Sequence, residues 1–160
     1  MEGAPTLIEL TTTQLRAELT EAELRALPKA VLASVGDGAA EAVEAWLGGR
    51  LIQACDRVVV AVNSCSQNRA IMTGLCKVPA GCVRTALVLA RHAVISAIPG
   101  MADTLEGGTR SAEYGTATNE LRALASCELR PEYSLTDDEA LTGTGGGFGF
   151  IRKPADSFLW

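Results

Sequence analysis

Apolar residues recur at Ala39, Val43, Trp46, Leu47, Leu51, Ile52 and Cys55, close to the 3.6-residue period of a helix with one buried face. The pattern predicts a helix that opens after Asp37 and continues through the Arg57-to-Asn63 stretch RVVVAVN. That stretch is β-branched and strand-like in composition, but no second convincing strand exists to pair with it, so the helix is carried through. Gly48 and Gly49 weaken the helix and mark a kink or a close crossing. Upstream, TEAELRAL begins with Thr20 as N-cap and Glu23 reaching back to it, a capping box, and Pro28 is expected to interrupt that helix.

Residues 63 to 79 start polar and turn irregular, which suits a loop. Pro79 fits the first position of the next helix, where its missing amide proton costs nothing. The helix that follows, to about Ile98, is apolar on most of its surface and reads as the central helix of a bundle. Pro99-Gly100 stops it, and a loop, MADTLEGGT, leads to RSAEYGTATNELRALASCEL. There Ala117, Leu121, Leu124 and Ala125 share one face, and Pro131 closes the helix. The expected fold is all-α, a small bundle of about four to five helices over residues 1–133. Residues 134–160 form an acidic, then glycine-rich hinge and an extended, flexible aromatic tail.

Composition sharpens this picture. The chain has 160 residues, 48% hydrophobic but only 4% aromatic, which favours a helical core of small and aliphatic side chains. The longest apolar run, TALVLARHAVISAI, carries Arg91 and His92 in its middle and is too short and too charged to span a bilayer. MEGAPTLIEL lacks the basic start of a secretory signal, so a soluble, intracellular protein is expected. The five cysteines, Cys55, Cys65, Cys76, Cys82 and Cys127, show no CxxC spacing. They are read as buried reduced thiols of a cytosolic protein, with no metal site expected.

The net charge of -5 is unevenly spread: residues 51 to 100 hold one acid against five bases, between two acidic thirds. Arg57, Arg69, Lys77, Arg84 and Arg91 are spaced as a phosphate-facing stripe would be, yet aliphatic residues dilute them and no aromatics interleave. Neutralisation of neighbouring acids, within or between subunits, is the favoured reading.

No motif carries catalytic chemistry. GTGGGFGF has the glycines of a phosphate loop without the strand before it or the helix after it, so no cofactor is expected. His92 with Ser96, or with Cys76, raises an acid-base or thiol pair. His92 has no carboxylate within one turn, however, and reads as a core or interface histidine. No enzyme is expected.

The tail is the unusual segment. Phe148 and Phe150 alternate as on one face of an extended strand, with Ile151 and Arg152 following. Arg152 and Lys153 can pair with acids on a partner, and Pro154 prevents a continuous helix. Phe158, Leu159 and Trp160 make a terminal apolar plug. Behind a glycine hinge these residues are expected to leave the body and anchor it to a larger partner or a neighbouring copy. The competing reading folds the tail back over an apolar patch of its own domain.

With the helices placed, residues 37 to 130 resemble the head-to-tail adaptors, or connectors, of tailed phages and prophages. The resemblance rests on Pro79, the Ala90-Arg91-His92 step, the Ile98-Pro99 break, Arg110 with Glu113-Tyr114, Ala117 and Leu121-Arg122, and the upstream AVEAWLGGR. It implies a ring, typically of twelve copies, docked beneath the portal protein of the capsid. Such a ring lies in the virion neck, is assembled in the host cytoplasm, passes DNA without sequence-specific binding and receives the next neck or tail component. A channel lining would then favour acids such as Glu128, Glu132, Asp137, Asp138 and Glu139. The alternatives are a small DNA-binding regulator or terminase-type component, with TEAELRAL and PKAVLASVG as a helix-turn-helix, and a head-closure or tail-terminator subunit, which would be richer in strand. Against the first stand the acidic amino-terminal third and the lack of a basic recognition helix.

Overall fold

The computed structural model describes residues 6–68, 70–105, 108–131 and the backbone of 151–152. Among them are five α-helices: α1 (Thr12–Ala17), α2 (Glu21–Val35), α3 (Ala40–Ser64), α4 (Val83–Ser96) and α5 (Gly108–Ala125). Two short antiparallel ribbons complete the order. β1 (Leu7–Glu9) pairs with β2 (Lys77–Pro79), and β3 (Leu129–Arg130) pairs with β4 (Ile151–Arg152). The expected all-α bundle is thus observed, with α3, α4 and α5 packed on one another and α1 and α2 laid against α3.

α3 is the spine, 25 residues and roughly 37 Å long at 1.5 Å per residue. Val43, Leu47, Leu51, Ala54, Cys55, Val58, Val59 and Val62 are buried along it, and it runs through the valine-rich segment as its periodicity predicts. Packing overrides β-branched preference there, since Val58, Val59 and Val62 all meet the core. The two glycines of α3 are ordinary helix positions. A Cβ on Gly48 would come no nearer than 3.9 Å to Thr12, and one on Gly49 would meet nothing, so neither is required by a close crossing.

α2 corrects the expectation at Pro28, which lies inside the helix. Proline removes one intrahelical donor, but Leu27, Ala30 and Val31 are buried on both sides of it and hold the helix to the core across the defect. The turn after α2 depends on glycine twice. Gly36 caps the helix at φ +79, and a Cβ on Gly38 would lie 2.8 Å from the Pro28 carbonyl oxygen. Because α2 is continuous, the two segments proposed as a helix-turn-helix are one helix.

Pro79 also departs from expectation. It ends β2 and precedes a 3₁₀ turn, Ala80–Cys82, so α4 begins at Val83. Its neighbours decide this: β2 pairs residue for residue with β1, placing Leu7 opposite Pro79 and Glu9 opposite Lys77. α4 is the central helix, burying residues on nearly every side from Thr85 to Ile95. α5 ends at Ala125, before Pro131, because Cys127 turns into the left-handed region at φ 63.

The cysteines bring a further correction. Cys65, just past α3, and Cys127, just past α5, are joined in a disulfide with Cα atoms 5.2 Å apart. Residues 62 apart in sequence meet because the carboxy-terminal ends of the two helices lie together. Cys55, Cys76 and Cys82 are free thiols.

Candidate functional site

Four of the residues behind the resemblance, Arg91, His92, Glu113 and Tyr114, meet across the seam between α4 and α5. Arg91 on α4 is buried, only 7% exposed, and its guanidinium donates to Glu113 of α5 and, at 3.3 Å, to Glu18 just after α1. Arg84, two turns earlier on the same face, bonds the same two carboxylates, Glu18 at 2.8 Å and Glu113 at 2.7 Å. Two arginines and two glutamates thus form a closed four-membered cluster tying α1, α4 and α5. The Arg91 hydrogen bond holds the Glu113 carboxyl below its ordinary range, with Arg84 adding to the effect. For Arg84, partial burial opposes the charge, but the two glutamates prevail and raise its pKa further.

The next motif residue on each helix also finds a partner. His92 stacks on Tyr114 with ring centroids 3.7 Å apart. Burial, then Arg57 and Arg91, lowers its pKa and favours the neutral ring. Arg110 at the start of α5 reaches Glu23 of α2, whose side chain is 4% exposed. Burial alone would raise the Glu23 carboxyl; Arg110 and the Thr20 backbone N–H, which donates at 2.7 Å, lower it. Glu23 therefore closes the expected capping box and also anchors α5. Ala117, the small residue of the motif, is buried where α5 packs on the core.

Beside this seam lies an open cleft of about 530 Å³, lined by Glu18, Gly81, Val83, Arg84, Leu87 and the pair Thr85 and Glu120. Thr85 is buried and donates its hydroxyl to Glu120. The buried Cys82, between the lining residues Gly81 and Val83 in sequence, has its thiol pushed up to about 12 by burial and the Glu120 charge, so it stays a thiol. The paired side chains considered from the sequence find other partners: Ser96 donates to the Ala93 carbonyl at 3.2 Å, and Cys76 lies against Cys55. Among the described residues no group of three or more His, Cys, Asp or Glu side chains is placed to hold a metal, and no helix is long and apolar enough to cross a membrane.

Three of the five bases in the stripe are held in ion pairs, and Arg69 lies outside the described residues. Arg84 and Arg91 belong to the cluster, and Lys77 lies 3.6 Å from Glu9 across the first ribbon. Of the tail residues, Ile151 and Arg152 form β4, opposite Arg130 and Leu129. At these two positions the backbone runs antiparallel beside β3. Phe148, Phe150, Phe158, Leu159 and Trp160 lie outside the described residues, as do Glu132, Asp137, Asp138 and Glu139. Glu128 is exposed.

Sequence reasoning missed Glu18, Thr85 and Glu120, and the disulfide. Arg91 in the middle of an apolar helix was the one available signal, since a buried guanidinium requires carboxylate partners. Set against protein-family models, curated proteins and solved structures, the chain has no match in any of the three.

Proposed function

We propose that this chain is the subunit of a head-to-tail adaptor ring, joining the portal of a DNA-filled capsid to the tail of a phage. The observation that carries the reading is the α4–α5 seam. Among the positions that make the sequence resemble adaptors, Arg91 pairs with Glu113 and His92 stacks on Tyr114 across the seam, and Arg110 reaches Glu23 of α2. A motif made of structural contacts suits a protein whose work is assembly.

In this reading the helical wedge packs beside copies of itself, and the aromatic residues Phe148, Phe150, Phe158, Leu159 and Trp160 anchor it to the portal or to a neighbour. Between these anchors, Ile151 and Arg152 pair with β3 next to the end of α5. Burying one such side chain contributes about 1.5 to 3 kcal/mol, and a ring multiplies weak anchors by avidity. Exposed Glu128 and the acids after it face the channel, where negative charge lets DNA slide.

Removal of residues 153–160, which leaves β4 in place, tests the reading by complementation in phage assembly. The expected result is an unchanged helical spectrum and thermal transition, with filled heads that carry no tails. Normal virions from the truncated chain would refute the anchoring role of Phe158, Leu159 and Trp160.

A further inference from the structure

We propose that Cys55 and Cys76 form an oxidisable dithiol that closes to a second disulfide, stapling the connector between α3 and β2 at the end opposite Cys65. The connector begins at Cys65, already bridged to Cys127, and ends at Cys76. The Cys76 sulfur lies 3.3 Å from that of Cys55. A disulfide bond of about 2.05 Å needs an approach of roughly 1.2 Å more. The two sulfurs already face each other without an intervening atom.

The two sides of the pair differ in a useful way. Cys55 is 1% exposed on the buried face of α3 and cannot be reached from solvent. Cys76 is partly exposed, takes a left-handed φ of 51, and sits two residues after Gly74, whose amide donates to Asp56 at 2.7 Å. Its carbonyl accepts from Leu10 N–H at 3.0 Å, so a bond to Cys55 would tie the β1–β2 ribbon covalently to the spine helix. Cys82, the remaining free thiol, is buried.

With a small-molecule disulfide as oxidant the steps balance. The Cys76 thiolate attacks one sulfur of the oxidant, whose S–S bond breaks to release one thiol and leave a mixed disulfide on Cys76. The Cys55 thiolate then attacks the Cys76 sulfur and expels the second thiol. Two electrons and two protons pass from the protein to the oxidant. Burial raises both thiols, and Glu9 and Asp56 add negative charge around Cys76. Closure is therefore slow at neutral pH and accelerates as pH rises.

The test uses the full chain equilibrated in graded ratios of glutathione to glutathione disulfide, quenched in acid, alkylated, digested and mapped by mass spectrometry. The expected result is a loss of four hydrogens at the oxidising end, with one peptide pair joined through Cys65 and Cys127 and another through Cys55 and Cys76. Cys76→Ser should lose only two hydrogens and keep Cys65–Cys127. Amides of residues 70–76 should exchange more slowly in the oxidised wild type than in oxidised Cys76→Ser. Alkylated Cys55 and Cys76 in every buffer that preserves Cys65–Cys127 would overturn the proposal, as would a bond from Cys76 to another cysteine or to a second chain. The wild-type mapping needs no variant, so a misfolded Cys76→Ser protein would not rescue the idea.

Discussion

α4 buries side chains on almost every side, whereas α5, packed along it, fully buries only Ala117 and Leu124. α4 is retained mainly by aliphatic contact with α3, and its directed bonds serve the few polar side chains it buries, Thr85 and Arg91. α5 has little apolar face to offer and is fastened at discrete points: Arg110 to Glu23 at its start, Glu113 and Tyr114 to α4 in its first half, Glu120 to Thr85 further on, and Cys127 to Cys65 beyond its end. The hydrophobic effect is indifferent to pH and weakly directional, while ion pairs and disulfides specify register and answer to conditions. One helix thus sets the core, and its neighbour is positioned by chemistry that can be broken one link at a time.

The largest expected break is at the covalent link. A disulfide closing a loop of 62 residues stabilises by about 4 kcal/mol in the chain-entropy account. Cys127→Ser should lower the denaturation free energy by that order, with hydrogen exchange rising first in α5 and β3. Leu89→Ala on α4, at a residue 1% exposed, should cost about 3 kcal/mol. It should loosen the whole bundle together and leave the pH dependence of stability unchanged.

Arg110→Ala should cost about 3 kcal/mol as well, because it leaves the buried Glu23 carboxylate with only its capping donors. Unlike Leu89→Ala, it should raise the Glu23 pKa, visible by carboxyl titration in NMR spectra. Glu113→Gln keeps the shape of the cluster and removes its charge, so a smaller loss of about 1 to 2 kcal/mol is expected.

The smallest effect is the pH response of the unaltered protein. Glu23 and Glu113 both have folded pKa values below the ordinary 4.5, so the unfolded chain takes up protons before the folded one as pH falls. Their stabilisation is intact above about 4.5, declines below it and is gone once pH passes the lowered folded values. His92 works in the same direction at a higher window. Its folded pKa lies below 6.5, so its contribution is full above that value and diminishes as pH falls beneath it. Exchange in α5 should quicken under acid before exchange in α4 does.

How far the sequence foretold this differs between the same two helices. The run from Thr85 to Ile98 announces a central helix by its near-continuous apolarity, and the 3.6 period carried α3 correctly through its valines. Proline is the residue whose local preference tertiary packing overrides. Pro28 reads as a boundary, but burial on either side of it outweighs one missing hydrogen bond. Pro79 reads as a helix start, but pairing with β1 claims it for a strand. α5 was recognised by its apolar face, yet what holds it in place could not be seen, because Glu18 and Arg91 are 73 positions apart and Glu23 and Arg110 are 87 apart. The disulfide was hidden for the same reason: cysteine spacing along a chain says nothing about which helix ends converge.

The adaptor reading is tested most directly by mass photometry of the protein with and without purified portal rings. The account predicts that the free chain, at 16.7 kDa, leaves the portal peak as the only large species until the two are mixed. The peak then moves up by a whole ring of subunits, typically twelve, and residues 153–160 are required for the shift. A portal peak that does not move, together with tight binding of the chain to free duplex DNA at physiological salt, would contradict it.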